Sequence, residues 1–392
     1  MSIVFKTKRK KSHTTVPVYL DCAATSPLEP MVRDVTLRYL EDDFGNAGSR
    51  THEFGSKAKA AVQKARIEVA ALTKCQPEEV VFTSGATESN NLALLGLRKF
   101  GEKEGRNHIV TTSIEHKAVL EPLAYLAECG FEVTIVDPEQ DGVVSDAAIS
   151  KAVRSDTLLV SVMHVNNETG AIQPISQIAK RLANHPAFLH VDAAQGFGKR
   201  IKELQDPRID LISVSGHKIY APKGVGALIT RRRGFDRVPL EPLTFGGGQE
   251  RSLRPGTQPV ALIAALGEAS RLAAERHTER EKVCRAMYAE AVAALTAVGG
   301  VPIADPSKTI PSTLNIAFPG LDAEALIVAL KDQVAVSNGS ACTSHSYTAS
   351  HVLTAMKVPA DRLGSALRLS WCHLTPPVAW KEVAATIAEL RR

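Results

Sequence analysis

Between residues 80 and 230 the chain alternates short β-branched apolar runs with stretches of helical periodicity. Val80-Val-Phe-Thr83 precedes a helical pattern over 91–100, and His108-Ile-Val-Thr-Thr112 leads into another from about Lys117. Glu132-Val-Thr-Ile-Val136, the continuous apolar run 157–164, and the runs 188–192 and 211–215 read as strands, with helical spacing over 175–182 and a further strand at 226–230. Such alternation predicts an α/β fold with a mostly parallel sheet covered on both faces. Ligands in folds of this kind bind beyond the carboxyl ends of the strands. Glu88, His116, Asn167, Asp192 and Lys218 all follow strand ends and so can converge there.

After Pro259 the pattern changes. An Ala/Glu/Arg-rich helical region runs to about Val298, followed by the apolar run 312–318, a helix over 323–331 and a last helix over 378–390. The expectation is a large domain over 28–276 and a smaller α+β domain formed by 1–27 with 277–392. At 392 residues the chain is too long for one compact core, which agrees with two domains.

Composition narrows the classes. Hydrophobic residues make up 44% and charged residues 23%, ordinary values for a soluble globular protein. No apolar run is long enough to span a bilayer, and the N-terminus lacks a signal-peptide core. The formal charge of +5 is matched by five basic residues in one tail, Lys6, Lys8, Arg9, Lys10 and Lys11. That tail reads as a solvated terminus, and the balanced remainder argues against a nucleic-acid-binding surface. The cysteines Cys22, Cys75, Cys129, Cys284, Cys342 and Cys372 are scattered, with no Cys-x-x-Cys pair and no metal-ligand spacing. Reduced thiols, no metal and a cytoplasmic setting are expected.

The chemistry is concentrated in a few segments. Lys218 closes Ser213-Val-Ser-Gly-His-Lys218 just beyond one strand, and Asp192 ends another in His190-Val-Asp-Ala-Ala-Gln195. A lysine that can condense with an aldehyde and a carboxylate that can keep a ring nitrogen protonated are the two polar groups that pyridoxal 5'-phosphate needs most. Thr83-Ser-Gly-Ala-Thr87 follows a strand and opens a helix, so its backbone N–H groups can meet a phosphate. Alone it would read as a simple N-cap; beside Lys218 and Asp192 it reads as the phosphate loop. Cys342 sits in Ser337-Asn-Gly-Ser-Ala-Cys-Thr-Ser344, a small-residue loop that presents a thiol. Cys22, Cys75, Cys129, Cys284 and Cys372 read as core filler, and His52, His164 and His185 as ordinary. Gly246-Gly-Gly248 reads as a constrained turn.

These segments resemble the cysteine desulfurases of the NifS/IscS type, fold-type I pyridoxal-phosphate enzymes of the class V aminotransferase superfamily. The resemblance runs from about Val18 to Ser370. It is carried by Tyr19-Leu-Asp-Cys-Ala-Ala-Thr-Ser-Pro27, Phe82-Thr-Ser-Gly-Ala-Thr-Glu-Ser89, Glu115-His-Lys-Ala-Val119, Met163-His-Val-Asn-Asn-Glu168, the segments ending at Gln195 and Tyr220, and Gly339-Ser-Ala-Cys-Thr-Ser344. It implies a mostly parallel seven-stranded sheet with a smaller α+β domain. It implies Lys218 as the cofactor-bearing lysine, Asp192 at the pyridinium nitrogen, Gln195 at the phenolic oxygen and His116 on the ring face. Ala86, Thr87, Ser215 and His217 would hold the phosphate. Thr257, in Arg254-Pro-Gly-Thr257, would complete the phosphate site of a second subunit, hence a homodimer. Asn167 and Arg368 would orient the substrate, with Arg368 on its carboxylate.

The implied reaction turns L-cysteine into L-alanine and leaves its sulfur on Cys342 as a persulfide for an acceptor protein. His345 and His351 lie near Cys342 in sequence. Three departures stand out: Cys22 where the family usually has an aromatic residue, Asn338 where it has serine, and His373 where many relatives carry arginine. The chain also stops at Arg392 without the tail by which iron–sulfur desulfurases dock their scaffold. Iron–sulfur assembly, tRNA thiolation and DNA phosphorothioation are therefore all open destinations for the sulfur. Competing readings are a class V aminotransferase or selenocysteine lyase, and a non-catalytic scaffold that keeps the fold. A nicotinamide dehydrogenase fits poorly, since no Gly-x-Gly-x-x-Gly follows the early strands.

Overall fold

A computed structural model describes residues 16–338 and 350–391. Its strands are β1 (Val18–Tyr19), β2 (Val80–Thr83), β3 (His108–Thr112), β4 (Glu132–Val136), β5 (Thr157–Met163), β6 (Phe188–Asp192), β7 (Leu211–Ser215), β8 (Gly226–Thr230), β9 (Val301–Pro302), β10 (Thr313–Ala317), β11 (Val334–Ala335) and β12 (Ala366–Ser370). β2 to β8 form a seven-stranded sheet of order β2-β8-β7-β6-β5-β3-β4. The pairings β3–β4, β3–β5, β5–β6 and β6–β7 are parallel, and β8 runs antiparallel to both neighbours. The reason for the exception lies in chain length. The connection 216–225, which carries Lys218, is too short for the crossover helix that a parallel neighbour requires.

Every residue of β3, β5, β6 and β7 is buried, as the unbroken apolar runs predict for a sheet covered on both faces. The registers Met163↔Asp192 and Asp192↔Ser213 bring the carboxyl ends of β5, β6 and β7 level with one another. The helical pattern over 91–100 is split in the structure. One helix, Ala86–Leu95, ends against Gly96, and a second, Arg98–Glu104, follows. A Cβ at Gly96 would lie 2.3 Å from the Leu92 carbonyl oxygen and 3.0 Å from that of Glu241, so the tight turn needs glycine there.

The remaining strands build a smaller unit. β10 pairs antiparallel with β12 and β9, and β1 pairs parallel with β11. Isolated bridges Asp21↔Ser370 and Ser337↔Arg368 tie the N-terminal segment and the residue before Asn338 to β12. A helix of 37 residues, Val260–Thr296, runs through both parts. Its first turns, from Val260 to Ala273, pack into the cluster around β5–β8, and Cys284, Ala291 and Leu295 pack with β10 and β12. Helix Glu53–Thr73 lies so close along its first half that a Cβ on Gly267 would fall 2.5 Å from the Ala65 Cα.

Candidate active site

The carboxyl ends of β5, β6 and β7 open into a cavity of about 560 Å³, a volume suited to a cofactor with a small substrate. Asp192, the last residue of β6, is buried at its wall. Its Oδ2 accepts from the Asn90 side-chain amide at 2.7 Å and its Oδ1 from the Ala194 N–H at 2.9 Å, so the carboxylate is fixed in orientation. Lys218 enters from the turn after β7. Its Nζ donates to the carbonyls of Ala23 and Ala24, the latter at 2.6 Å. Gln195 lines the same wall, and its amide donates to the Ala23 carbonyl at 2.8 Å. The N-terminal loop 21–25 thus receives both side chains.

The candidate phosphate cradle is a helix start. Gly85 precedes helix Ala86–Leu95 with φ 154° and ψ −178°, a region open essentially to glycine alone, and supplies no side-chain cap. The first N–H groups of the helix face the cavity at Ala86 and Thr87. A Cβ on Gly226 would lie 2.6 Å from the Gly85 Cα, so β8 backs the cradle by direct backbone approach. Ser215 and His217 close it from β7. The His217 Nδ1 hydrogen-bonds the Thr25 hydroxyl at 3.1 Å. Burial, then the Lys218 charge, pushes the His217 imidazole down to about 4, so it is neutral near pH 7.

His116 caps helix Lys117–Glu128 by accepting the Ala118 N–H at Nδ1, 3.1 Å away, which leaves the ring proton on Nε2. Burial lowers its pKa despite the opposing pull of Asp192, so the ring is neutral. Arg368, in the middle of β12, is buried and lines the same cavity. Asp21 Oδ1 takes its Nη2 at 2.7 Å and the Asn167 carbonyl takes its Nη1 at 3.1 Å, but its buried Nε has no hydrogen-bond partner among the described residues. Asn167 itself reaches the cavity beside it. An orphaned guanidinium N–H in a polar wall calls for an anionic ligand.

Thr257 does not line this cavity; it is exposed on the segment before helix Val260–Thr296. Cys342 and His345 lie outside the described residues. His351 is described, and its Nε2 hydrogen-bonds the Glu115 carbonyl at 3.0 Å. Asn90, Thr25 and Asp21 were not among the expected site residues. Asn90 lies one turn past Thr87 on the same helix and so faces the same way, the one local signal that pointed to it.

The fit to pyridoxal phosphate is chemical as well as spatial. A buried, oriented carboxylate, a lysine and a helix start without a side-chain cap lie around one cavity. The aminotransferase class-V family matches residues 18–376. The chain belongs to this family. The cysteine desulfurase IscS of Vibrio cholerae is 43% identical over 363 residues, 92% of this chain and 89% of that one. Among solved structures, a NifS-like protein superposes with a TM-score of 0.88 at 35% identity, over 96% of this chain and 99% of the other. DndA from Streptomyces lividans gives a TM-score of 0.80 at 49% identity, over 90% and 99%. Family membership settles the cofactor as pyridoxal 5'-phosphate and the fold as that of fold-type I enzymes. Among the described residues no helix is long and apolar enough to cross a membrane.

Proposed function

We propose that this cavity converts L-cysteine to L-alanine and that Cys342 carries away the sulfur as a persulfide. The protein is a cysteine desulfurase dependent on pyridoxal phosphate, as its relatives over nearly the whole chain are. The observation that carries the assignment of roles is the convergence of Lys218, Asp192 and Arg368 on one cavity. Arg368 binds the substrate carboxylate, its guanidinium already held by Asp21 and the Asn167 carbonyl. Asp192, oriented by Asn90, would pair with the ring nitrogen, His116 would cover the ring face and Gln195 would serve its phenolic oxygen. Ala86, Thr87, Ser215 and His217 hold the phosphate.

When bound, the cofactor supplies an electron-accepting ring that acidifies the substrate Cα–H and makes the Cβ–S bond cleavable. Lys218 takes and returns the Cα proton at Nζ, its ammonium form held by the carbonyls of Ala23 and Ala24. His116, neutral with its proton on Nε2, adds a donor at the ring face. The Cys342 thiolate forms an S–S bond as Cβ–S breaks; the electron pair stays on carbon, which takes up a proton and leaves as L-alanine.

Thr257 is exposed and does not line its own cavity, which supports a homodimer in which each subunit completes the other's phosphate site. A sulfur-acceptor protein is the consumer of the persulfide, and the five described cysteines, all unpaired, accord with a cytoplasmic setting. The test is mass spectrometry after brief exposure to L-cysteine. One added sulfur is expected on the Cys342 peptide, together with stoichiometric L-alanine. Alanine without that adduct, or sulfur on another cysteine, overturns the assignment.

A further inference from the structure

Cys22 and Cys372 pack with Tyr220 as a buried cluster of their own. The backbone sets this pairing. Asp21 bridges Ser370, and the Cys22 N–H donates to the Ser370 carbonyl at 3.1 Å, so the segment 21–22 runs beside the end of β12. The nearness of the two thiols pushes the Cys22 pKa up and that of Cys372 down, and the Thr375 hydroxyl, 3.8 Å from Cys372 Sγ, and the positive charge of Lys199 favour the Cys372 thiolate further. Cys22 also borders a surface depression of about 430 Å³ shared with Tyr19, Thr25 and Leu374. A small solute can therefore approach the pair from the Cys22 side.

We propose that Cys22 and Cys372 form an oxidative modification site, a dithiol that a peroxide converts to a disulfide, and that this cross-link weakens substrate binding in the adjoining cavity. In the reaction one thiolate attacks the O–O bond of hydrogen peroxide and becomes a sulfenic acid, releasing one water. The second thiol displaces that oxygen as another water. Two thiols lose two electrons and two protons, and the peroxide takes up both.

The consequence for the cavity follows from the neighbours of Cys22. Asp21 holds the Arg368 guanidinium, and Ala23 and Ala24 receive the Lys218 amine and the Gln195 amide. A bond from Cys22 to Cys372 has its own fixed geometry and draws this loop toward β12, shifting the supports of the carboxylate-binding arginine. This effect rests on the reading of Arg368 as the carboxylate anchor; formation of the cross-link does not.

The experiment uses the Cys342→Ser holoenzyme, so that oxidation of the transfer cysteine does not enter. It is treated with hydrogen peroxide, alkylated and digested, and L-alanine, which binds through its carboxylate but cannot reduce a disulfide, is titrated by the cofactor absorbance. The expected results are a Cys22–Cys372 linked peptide and an L-alanine Kd raised at least about threefold, both reversed by dithiothreitol. Both should be absent when Cys22→Ser or Cys372→Ser is added, and either variant suffices if the other fails to fold. Recovery of both cysteines alkylated, a link to Cys284 instead, or a linked peptide with unchanged L-alanine binding overturns the proposal. If L-alanine fails to perturb the reduced holoenzyme at all, it is the reading of the substrate site that falls, and the peptide alone then decides the cross-link.

Discussion

The Asn90 side-chain amide donates to Asp192 Oδ2 at 2.7 Å, joining the helix start proposed to hold the phosphate to the strand end proposed to face the cofactor nitrogen. On that reading, the two ends of one small molecule are recognised by parts that position each other. Loss of Asn90 leaves the Ala194 N–H on Oδ1 but frees the other oxygen to turn. Asn90→Ala is expected to lower kcat by roughly tenfold and to loosen the cofactor, read from turnover and from absorbance after dialysis, with Asn90→Asp worse because two carboxylates would then face each other.

Lys218→Ala removes the amine proposed to bear the cofactor. Alanine production should fall to the limit of detection, and borohydride treatment should no longer fix the cofactor to the protein. Covalent trapping that persists at the usual peptide would show that another amine plays this part.

Arg368→Lys keeps the charge but loses the fork and its N–H at Nε. The KM for L-cysteine should rise about tenfold or more, roughly 1.4 kcal/mol, with a smaller change in kcat. Asp21→Asn should act in the same direction by releasing the guanidinium. A fall in kcat with unchanged KM in both variants would contradict an anchoring role.

Mixed dimers test the placement of Thr257. Lys218→Ala and Thr257→Ala subunits, each impaired alone, should on mixing form one site that has both residues intact. Activity above that of either parent is expected. No gain despite verified subunit exchange would place Thr257 outside the neighbouring site.

Glu115 supplies a pH signature in stability. Its Oε1 accepts from the Thr112 hydroxyl and the Met163 N–H, while full burial pushes its pKa up to about 8. Between the ordinary carboxyl value and 8 the folded state holds a proton that the unfolded chain releases, so the unfolded chain binds fewer protons and stability falls as pH rises. Denaturant titrations at pH 5.5 and 7.5 should show this fall for the wild type. Glu115→Gln should flatten it, because an amide can keep both hydrogen bonds at its oxygen without ionising. Equal slopes for the two proteins would exclude Glu115 as the source.

Much of the fold was legible in the order of residues. The runs at 157–164, 188–192 and 211–215 lie in strands buried on both faces, where β-branched residues need no polar alternation. Helices Pro30–Glu41 and Glu53–Thr73 were not foreseen. The second buries Ala58, Ala61, Val62, Ala65 and Val69, a stripe of small side chains whose periodicity is faint until helix Val260–Thr296 presses Gly267 against it. The strands β1 and β11 are two residues each and exist only through pairing with each other. At the site, Lys218 and Asp192 announced themselves by residue type and strand-end position. Their supports did not, because Ala23 and Ala24 act through backbone carbonyls, which leave no trace in side-chain identity.

The helix Val260–Thr296 belongs to both hydrophobic cores, like one beam built into two rooms. At about 1.5 Å per residue its 37 residues span roughly 55 Å. Neither core can loosen without unseating a length of this shared beam, so heat and denaturant meet one structure and not two. Adjustments that admit substrate must accordingly come from loops and strand ends around the cavity, and the residues that set its geometry inherit the stiffness of the whole molecule.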